Sequence, residues 1–398
     1  MTESHVRLSR AQAQLLLDEL ACYLRPPGEG VFAVSTGRAA REAATRAYLG
    51  GDAVRWREHL ERLLDLESPA VALLAVPCDT GAGIVRGASW GPEAIRAALG
   101  QAPVFDLGDV FVVPQLLHDE MHSRAQIERT QDAIYPTVPV EARRRMPVSP
   151  LSVAQRVYAV LGELRPDLRV HLLGGDHSVT WPAMAYLLQG GPERNRDLAI
   201  VHFDAHTDLT RERLGVRYCF ATWALHANDL LGGGQRLLQI GIRASGRERA
   251  HWEREHGVRQ IWGRAAQEMS PSALAAVVVD HLGSIGARRV FISNDIDGTD
   301  CHWAAACGTP EPGGLRPEQV HAVLGGLADA EVDIIGADLV ELAPVLSLDR
   351  AAADRSTETA TAYVRDQLNL LQRAARAKGA NGAESPGNTP GGPEVDSA

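Results

Sequence analysis

The stretch LAIVHFDAHTD, residues 198–208, runs from an apolar, β-rich segment directly into a group of charged and imidazole side chains. Five further segments of the same kind occur along the chain: VALLAVP (71–77), LRVHLLGG (168–175), RLLQIGIR (236–243), RRVFISNDID (288–297) and VDIIGADLVEL (332–342). Helix-like stretches lie between them, near residues 91–99, 151–164, 177–189, 271–283, 316–329 and 357–376. Apolar strands that alternate with helices indicate a parallel sheet covered on both faces. The predicted fold class is therefore α/β, with three αβα layers and a mainly parallel central sheet.

Side chains able to bind a metal follow three of these strand-like segments. They are His177 in GGDHS; Asp204, His206 and Asp208 in HFDAHTD; and Asp295 and Asp297 in SNDID. Function in a parallel sheet lies at the carboxyl ends of the strands, and residues i, i+2 and i+4 of a strand share one face. A single histidine or a single DxD pair is more often structural. Three such segments in this order predict one shared site.

The residue types of this site point to a pair of metal ions. Buried aspartates at the tips of apolar strands are costly unless opposite charge compensates them, and bound cations supply that charge. Carboxylate and imidazole ligands without sulfur suit Mn²⁺ and related divalent ions better than they suit a thiolate zinc site. Six ligands, four of which can bridge or chelate, suit a cluster of two metals that lowers the pKa of a shared water. The sequence therefore predicts two divalent ions, with Mn²⁺ as the leading identity.

The composition limits the size, the partners and the location of the protein. Its 398 residues allow one large domain with extensions or two to three domains. The formal net charge of −10 argues against nucleic acid or an anionic membrane as a partner. The longest apolar runs fall far short of the roughly 20 residues that span a bilayer. Five cysteines without a CxxC pair, and a charged N-terminus where a signal peptide is apolar, predict a reduced, cytoplasmic protein.

The pattern along the chain predicts three regions. They are a helical N-terminal extension over 1–67, a catalytic domain over 68–377 and a disordered tail over 378–398, rich in Gly, Pro, Ala, Asn and Ser. Within the extension, Ser9 caps a helix over Ala11–Leu24 that Pro26-Pro27 stops, and a second amphipathic stretch covers 37–66. We expect the extension to pack on the core or on a neighbouring subunit, with a regulatory or targeting role as the alternative.

Seven motifs, in their order along the chain, are similar to those of a known family. They are VPCDTGAGIVRGASWGPEAIR (76–96), DLGDV (106–110), GGDHSVTWP (174–182), HFDAHTD (202–208), SNDIDGTD (293–300), GTPEPGGL (308–315) and DLVELAP (338–344). Together they resemble the ureohydrolases, which include arginases, agmatinases, guanidinobutyrases, formiminoglutamases and guanidine hydrolases. The resemblance implies an arginase-like fold, release of urea from a small guanidino compound, and assembly into homotrimers or hexamers.

The resemblance also implies a role for each site residue. One metal would be held by His177, Asp204, Asp208 and Asp295, and the second by Asp204, His206, Asp295 and Asp297. Asp208 would shuttle a proton from the water to the leaving nitrogen, and Glu311 would hold the guanidinium of the substrate through paired hydrogen bonds. The chemistry agrees, because resonance makes the guanidinium carbon a poor electrophile that needs an activated water.

Two loops depart from the family pattern. Family members usually carry a histidine in an HGTxF loop after HFDAHTD, but here the segment RYCFATWALHA puts Phe220 at that position. Cys219 and His226 are alternatives for the missing histidine, although packing is the commoner role for a histidine placed like His226. Trp223 in this loop, and Trp303 in the loop after the DxD pair, would add ring faces that attract a cation. Core packing is the alternative for both tryptophans.

These departures bear on the substrate rather than on the reaction. Five residues would line a pocket narrowed by aromatic rings, which favours a small substrate: Thr80 of the opening motif, Phe220, Trp223, His226 and Trp303. Agmatine-type substrates are the family default. The alternatives are free guanidine, giving urea and ammonia, and guanidinobutyrate or guanidinopropionate. The N-terminal extension also resembles the guanidine hydrolases, for which Ni²⁺ is a candidate on the same ligands. A formimino or amide substrate and a non-catalytic, metal-binding role stay open.

Overall fold

The computed structural model describes residues 8–31, 38–49, 55–67, 70–101 and 103–383. The strands within these residues are β1 (Leu24–Arg25), β2 (Val71–Val76), β3 (Phe105–Val110), β4 (Arg169–Gly174), β5 (Leu198–Phe203), β6 (Leu237–Ile242), β7 (Arg259–Trp262), β8 (Arg289–Asn294) and β9 (Asp333–Leu339). The helices that precede β5 are α1 (Arg10–Tyr23), α2 (Arg38–Leu49), α3 (Trp56–Glu61), α4 (Gly91–Leu99), α5 (Arg124–Ile134), α6 (Val140–Arg143), α7 (Pro150–Leu164), α8 (Thr180–Leu187) and α9 (Gly191–Arg194). The helices that follow β5 are α10 (Trp223–Leu231), α11 (Arg249–His256), α12 (Gly263–Gln267), α13 (Pro271–Ser284), α14 (Pro317–Asp329) and α15 (Arg350–Ala383).

The described strands form one sheet in the order β1-β3-β2-β4-β9-β8-β5-β6-β7. Neighbouring strands are parallel throughout, except that β1 runs antiparallel to β3 at one edge. β4, β5 and β6 are buried along their whole length, as expected of strands covered on both faces. The structure thus confirms the predicted α/β class with a mainly parallel central sheet.

Successive residues of the central strands enter two different hydrophobic cores, one on each face of the sheet. In β2, Leu74 and Val76 belong to one core, whereas Leu73 and Ala75 belong to the other. The first core also contains buried side chains of α1, α7, α8 and α10, and the second contains those of α4, α13, α14 and α15. This alternation follows the two-residue period of a β-strand, and it makes the sheet the middle of three layers.

The N-terminal extension is attached to the core through α1 and β1. α1 begins at the predicted cap, where Ser9 and Gln12 exchange hydrogen bonds between side chain and backbone. Arg156 of α7 donates two hydrogen bonds to Glu19 of α1, at 2.6 and 2.7 Å. β1 then pairs with the edge strand β3. The sequence does not predict β1, because two residues are too few to show an alternating pattern.

β3 also escapes sequence analysis as a strand, because its sequence FDLGDV carries two aspartates. Both are buried and form ion pairs with Arg96 of α4, which is also buried. The Arg96 Nη2 atom lies 2.8 Å from Asp106 Oδ1, and Asp109 takes the other side of the guanidinium. A strand whose polar side chains are paired inside the protein shows no hydrophobic alternation.

The ends of the chain differ in part from the predicted regions. The stretch predicted over 37–66 contains two helices, α2 and α3, and a 3₁₀ turn at Arg62–Asp65, while residue 37 and residues 50–54 lie outside the described residues. α15 continues to Ala383, past the predicted start of the tail, and residues 384–398 lie outside the described residues. None of the described helices is long and apolar enough to cross a bilayer.

Candidate metal centre

Four neighbouring strands, β4, β9, β8 and β5, end at the same edge of the sheet. Each is followed by a segment with ionisable side chains: His177 after β4, Asp204 after β5, Asp295 after β8 and Glu341 after β9. All four of these residues are buried. Parallel strands place their carboxyl ends side by side, so the four segments meet in a single site.

The aspartates lie beyond the strands rather than on them, which corrects the predicted reason for their grouping. β5 ends at Phe203 and β8 ends at Asn294. Asp295 instead caps a 3₁₀ turn, and its Oδ1 accepts a hydrogen bond from the backbone NH of Asp297 at 2.9 Å. Turns of this kind fold an aspartate side chain back onto the backbone two residues later. These turns, and not a shared strand face, bring the predicted residues close together.

Three aspartates surround the imidazole of His177. The His177 Nδ1 atom lies 3.1 Å from Asp295 Oδ2, 3.2 Å from Asp204 Oδ2 and 3.3 Å from Asp208 Oδ2. An imidazole nitrogen carries at most one proton, which cannot satisfy three carboxylates at once. This group therefore has an excess of negative charge that a cation would balance.

His206 belongs to a second group, which shares Asp204 with the first. The His206 Nδ1 atom is 3.4 Å from Asp204 Oδ1 and 3.1 Å from Asp297 Oδ2. Two sets of side chains could each hold a cation, because the donor atoms within each set lie within 4.8 Å of one another. The first set is Asp204, His206 and Asp297, and the second is His177, His202, Asp204 and Asp208. Asp204 turns a different oxygen toward each ring, so it stands between two candidate cation positions.

The electrostatics of the site favours added positive charge. Burial and the nearby Asp204 raise the pKa of Asp208 to about 8, and burial together with Asp297 and Asp204 raises the pKa of Asp295 well above its usual value. Burial opposes the charged form of His206, but hydrogen bonds to Asp204 and Asp297 raise its pKa to about 12. Protons held by these groups reduce the same negative charge that a cation would reduce. Oxygen and imidazole donors without a thiolate fit divalent ions such as Mn²⁺ or Ni²⁺.

A buried hydroxyl and a buried carboxylate hold the ring of His177 from behind. The His177 Nε2 atom lies 2.9 Å from Ser293 Oγ, and this hydroxyl donates to Asp338 at 3.0 Å. Thr180 donates a second hydrogen bond to Asp338, at 2.8 Å. Because the Ser293 hydroxyl donates to Asp338, it can accept a proton from Nε2, and Nδ1 could then serve as a ligand atom when a cation replaces its proton.

His202 is a neighbour of the cluster that the sequence analysis passes over. Its Nε2 lies 2.8 Å from Asp204 Oδ2, and its Nδ1 lies 3.0 Å from the side-chain amide nitrogen of Gln239. Burial lowers the pKa of His202. The residue extends the two-residue series of Asp204, His206 and Asp208 backward by one step, and that continuation was a signal available in the sequence.

Glu341 is a buried acid beside the cluster to which the sequence analysis assigns no role. Its backbone has φ 65°, in the left-handed region, and its Oε1 accepts a hydrogen bond from the backbone NH of His177 at 2.9 Å. Burial and the nearby Asp176 raise the pKa of Glu341 well above its usual value. Glu311 is only half-buried, and the hydrogen bond that Arg243 makes to it uses its backbone carbonyl.

Two of the residues predicted to line the pocket lie in the loop that departs from the family. Trp223 is fully buried; its Nε1 donates to Asp208 Oδ2 at 2.9 Å, and its ring centre lies 4.7 Å from that of His177. Phe220 is half-buried and faces the opening motif, since a Cβ on Gly83 would lie 2.7 Å from its ring. Trp223 therefore supports a cluster residue from the core, and Phe220 packs against a neighbouring loop.

The other three predicted pocket residues have partners elsewhere. His226 packs its ring against Trp181 and Tyr218, and burial lowers its pKa. Trp303 contacts the ring of its neighbour His302, and the Thr80 hydroxyl donates to the backbone carbonyl of Pro114 at 3.0 Å. In the described part of the chain, none of these three residues hydrogen-bonds or stacks with a member of the cluster. Cys219 is buried one residue before Phe220, and burial raises the pKa of its thiol.

Comparison with known proteins identifies the family. The chain matches the model of the Arginase family over residues 69–368, a range that contains every strand except β1. The chain belongs to this family and is a hydrolase that acts on guanidino compounds. The family's dinuclear metal site corresponds in kind to the two groups of donor atoms that share Asp204.

Relatives of known activity cover most of the chain. It is 30% identical over 315 residues to the guanidinobutyrase of Pseudomonas aeruginosa. The matched region covers 74% of this chain and 86% of that protein. It is 31% identical over 292 residues to the mitochondrial agmatinase of Gallus gallus. The matched region covers 69% of this chain and 74% of that protein. These two names differ in the substrate, so similarity at this level leaves the substrate open.

Solved structures share the fold. Proclavaminate amidino hydrolase from Streptomyces clavuligerus superposes with a TM-score of 0.58 at 25% identity, over 77% of this chain and 92% of that one. Arginase from Medicago truncatula superposes with a TM-score of 0.56 at 21% identity, over 80% of this chain and 94% of that one. The arginase-like fold predicted from the motifs is thereby confirmed.

Proposed function

We propose that this protein hydrolyses a small guanidino compound of the agmatine type to urea and an amine. The observation that carries the proposal is the position of Glu341 beside two groups of metal-ligand-type side chains that share Asp204. Hydrolysis of a guanidinium needs a source of activated water and a separate carboxylate that holds the planar cation. The agmatinases and the guanidinobutyrase among the relatives support this class of substrate.

The proposed metal ligands are the six residues predicted from the sequence. His177, Asp204, Asp208 and Asp295 would hold one divalent ion, and Asp204, His206, Asp295 and Asp297 would hold the other. When bound, such a pair of ions lowers the pKa of a water between them, so that a nucleophile is available near neutral pH. Thr309 supports this ligand set by donating to Asp297 Oδ2 at 3.0 Å. Mn²⁺ is the leading identity, and Ni²⁺ is the alternative.

We assign the guanidinium of the substrate to Glu341 in preference to Glu311. Glu341 is buried next to the cluster, and one of its oxygens is held by the backbone NH of His177. The other oxygen faces Gly308, where even an added Cβ would lie 3.8 Å away. A desolvated carboxylate in a fixed orientation forms the strongest paired hydrogen bonds with a guanidinium. Glu311, the residue that the family resemblance implies, stays the alternative.

The pair of variants Glu341→Gln and Glu311→Gln separates these two assignments. Each keeps the size of the side chain and removes its charge. We expect Glu341→Gln to lower kcat/KM by about 100-fold or more, since groups aimed at the reacting centre contribute factors of that order. Glu311→Gln should stay within about threefold of the wild type. The opposite ranking, measured by urea release at equal metal content, would return the role to Glu311.

Asp208 is the proposed proton carrier. It would take a proton from the attacking water and give it to the leaving nitrogen, so that the C–N bond breaks to yield urea and a free amine. Asp208→Asn cannot exchange this proton, and we expect it to reduce urea release to the background level while the far-UV circular dichroism stays unchanged. Full turnover by a folded Asp208→Asn protein would assign proton transfer to another residue.

One arginine favours a second class of substrate, the guanidino acids. The Arg213 guanidinium carbon lies 5.2 Å from the centre of the Phe220 ring. Phe220 stands at the predicted position of the family histidine, and its backbone NH donates to the carbonyl of Gly81 in the opening motif at 3.3 Å. A cation held beside these loops attracts a carboxylate tail and repels an ammonium tail. This observation supports 4-guanidinobutyrate as the second candidate.

Agmatine and 4-guanidinobutyrate test this candidate, because they share the guanidinium and differ in the charge of the tail. Arg213 is exposed. If the tail meets Arg213, Arg213→Gln should lower kcat/KM for 4-guanidinobutyrate about fivefold at most, as expected for an exposed charge pair, and should leave kcat/KM for free guanidine unchanged. Arg211→Gln is the matched control, because Arg211 pairs with Asp229 at 3.0 Å. Equal effects on both substrates would leave agmatine-type substrates as the better proposal.

A urea-release screen decides among the remaining reactions. Agmatine, 4-guanidinobutyrate, 3-guanidinopropionate, arginine and free guanidine are each assayed with Mn²⁺, Ni²⁺, Zn²⁺ and Mg²⁺. We expect urea from a guanidino compound with a short tail in the presence of Mn²⁺. Urea and ammonia from guanidine alone would select guanidine hydrolysis. Ammonia or formamide without urea would indicate another C–N hydrolase, and no product from any substrate would favour a non-catalytic role.

A further inference from the structure

Arg243 follows β6 directly, and its guanidinium is bound entirely by backbone carbonyls. Nε donates to Pro312 at 3.0 Å, Nη1 to Gly241 at 3.0 Å and Gly298 at 3.3 Å, and Nη2 to Asp297 at 2.6 Å, Glu311 at 2.8 Å and Thr299 at 3.3 Å. Arg243 forms no salt bridge within the described ranges. A half-buried arginine with this many carbonyl partners and no carboxylate within salt-bridge distance mainly organises backbone.

The partners of Arg243 belong to the segments that build the metal centre. Asp297 contributes its side chain to the group around His206, and its backbone carbonyl accepts the shortest of the Arg243 hydrogen bonds. Glu311 lies in the GTPEPGG loop, and the backbone NH of Arg243 donates to Ala205, between two cluster residues, at 2.9 Å. The side chain of Arg243 thus joins the turn after β8 to the GTPEPGG loop, and its backbone NH adds a contact with the turn after β5.

Glycines leave the space that this guanidinium occupies. A Cβ on Gly314 would lie 2.7 Å from Arg243 Nη2, and a Cβ on Gly263 would lie 3.3 Å from Arg243 Cδ. Asp300 completes the arrangement by accepting the backbone NH groups of Gly313 and Gly314, at 2.6 and 3.0 Å. The surrounding backbone therefore accommodates a planar, five-donor group at this position, and a lysine ammonium with three donors cannot replace all of its contacts.

We propose that Arg243 is a positioning residue for the His206 side of the metal centre. Its side chain fixes the position of the Asp297 turn relative to the GTPEPGG loop. The proposal rests on the proposed function only in naming what is bound there. Loss of the guanidinium would loosen Asp297 and leave the group around His177, which Ser293 and Asp338 hold, in place. The expected result is selective weakening of one of two metal positions.

Arg243→Lys tests the proposal against Arg236→Lys. Arg236 precedes β6 at its other end, and its side chain also donates to backbone carbonyls, those of Gly233 at 3.1 Å and Asn195 at 3.4 Å. Both variants keep the positive charge and lose the planar, five-donor guanidinium. Mn²⁺ binding to metal-free protein should show two ions per chain in the wild type and in Arg236→Lys. In Arg243→Lys the second ion should bind at least about tenfold more weakly, the usual scale for an outer partner of a metal ligand.

Hydrogen exchange in metal-free protein supplies a readout that is independent of activity. The backbone NH groups of Asp300, Cys301 and Leu315 are hydrogen-bonded across the segments that Arg243 joins. Their exchange should accelerate in Arg243→Lys and stay at the wild-type rate in Arg236→Lys. Because exchange and metal stoichiometry need no turnover, they decide the role of Arg243 even if no guanidino compound proves to be a substrate.

Gly314→Ala provides a second variant in which Arg243 itself is unchanged. The added methyl group crowds Arg243 Nη2 and the backbone NH of Asp300, at a position with ordinary backbone torsions. It should reproduce the weak second ion and the faster exchange. Two ions bound with wild-type affinity, together with wild-type exchange over residues 297–315 in either folded variant, would overturn the proposal.

Discussion

At the residue scale, Trp223 links the hydrophobic core to the candidate metal centre. Its indole NH donates to Asp208 Oδ2 at 2.9 Å, and its ring lies against the rings of both His177 and His202. Asp208 has φ 51°, a conformation that a non-glycine residue keeps only when its surroundings hold it. Trp223 is therefore a structural support for the residue to which we assign proton transfer.

Trp223→Phe tests this support by removing the NH donor and keeping a ring. We expect kcat to fall about tenfold, because one hydrogen bond to a charged group contributes about 1.5 kcal/mol or more. Trp252→Phe is the control; Trp252 Nε1 donates to Ser245 Oγ at 2.9 Å, away from the cluster. Steady-state urea release by both variants is the measurement. Equal kinetics in the two variants would show that Asp208 does not depend on the indole.

Individual residues also show where sequence reasoning stopped. The six proposed ligands were recognisable because each lies in a compact motif directly after an apolar run. Glu341 lies in a quoted motif as well, but its φ of 65° turns it toward His177, and a sequence does not display that torsion. Ser293 and Arg243 act through hydrogen bonds to a side chain and to backbone carbonyls, and nothing in their residue types reveals those partners.

At the element scale, α4 and β3 are joined by a buried ion triad. Arg96 stands between Asp106 and Asp109, and all three side chains are nearly inaccessible to solvent. Removing one member of such a group leaves uncompensated charge in a low-dielectric environment. The contact between these two elements thus depends on charge as well as on hydrophobic packing.

Arg96→Met should lower the free energy of unfolding by about 3–5 kcal/mol, because it leaves two buried carboxylates without their partner. Arg124→Met provides the comparison, since Arg124 and Glu128 form an exposed pair on α5 at 2.8 Å. That variant should lose less than about 1 kcal/mol. Chemical denaturation of both variants gives the two values. Similar losses in both would mean that the triad is solvated in the folded protein.

A buried histidine between β4 and α15 makes the stability depend on pH. The His171 Nε2 atom lies 2.8 Å from Gln367 Oε1, and burial lowers the pKa of His171 from 6.5 to about 4. Between these two values the unfolded chain binds a proton that the folded chain does not, so stability falls as the pH falls. The expected loss between pH 6.5 and pH 4 is about 3 kcal/mol.

His171→Asn removes this titration, so the difference in unfolding free energy between variant and wild type should shrink as the pH falls from 6.5 to 4. Chemical denaturation at several pH values measures it. A difference that stays constant over this interval would mean that His171 binds its proton in the folded protein as readily as in the unfolded chain.

At the scale of the whole molecule, the N-terminal extension covers an edge of the sheet. α1 buries Leu17 and Leu20 in the first core, and β1 pairs with the outer side of β3. A chain that begins at residue 27 would expose this apolar surface and an unpaired strand edge. We expect a lower unfolding temperature and concentration-dependent association, measured by thermal unfolding and size-exclusion chromatography. An unchanged unfolding temperature would mean that the extension serves another purpose.

The sheet as a whole shows why some of the fold was predictable. The central strands β4, β5, β6, β8 and β9 are covered by helices on both faces, so their sequences are almost continuously apolar and were recognised as strands. The edge strands β1 and β7 have short or mixed sequences. β3 lacks a hydrophobic alternation, because two of its buried side chains are aspartates in ion pairs. Edges depend on long-range partners, and a local sequence pattern does not specify those partners.

The most direct test of the two-metal proposal is a titration of the metal-free protein with Mn²⁺. At each step, two quantities are measured: the metal bound per chain, and the urea released from agmatine and from 4-guanidinobutyrate. Urea formation should rise as the second ion binds and should disappear when both ions are removed by chelation. Two ions bound without urea from either compound, or full urea release with one ion or none, would contradict the proposal.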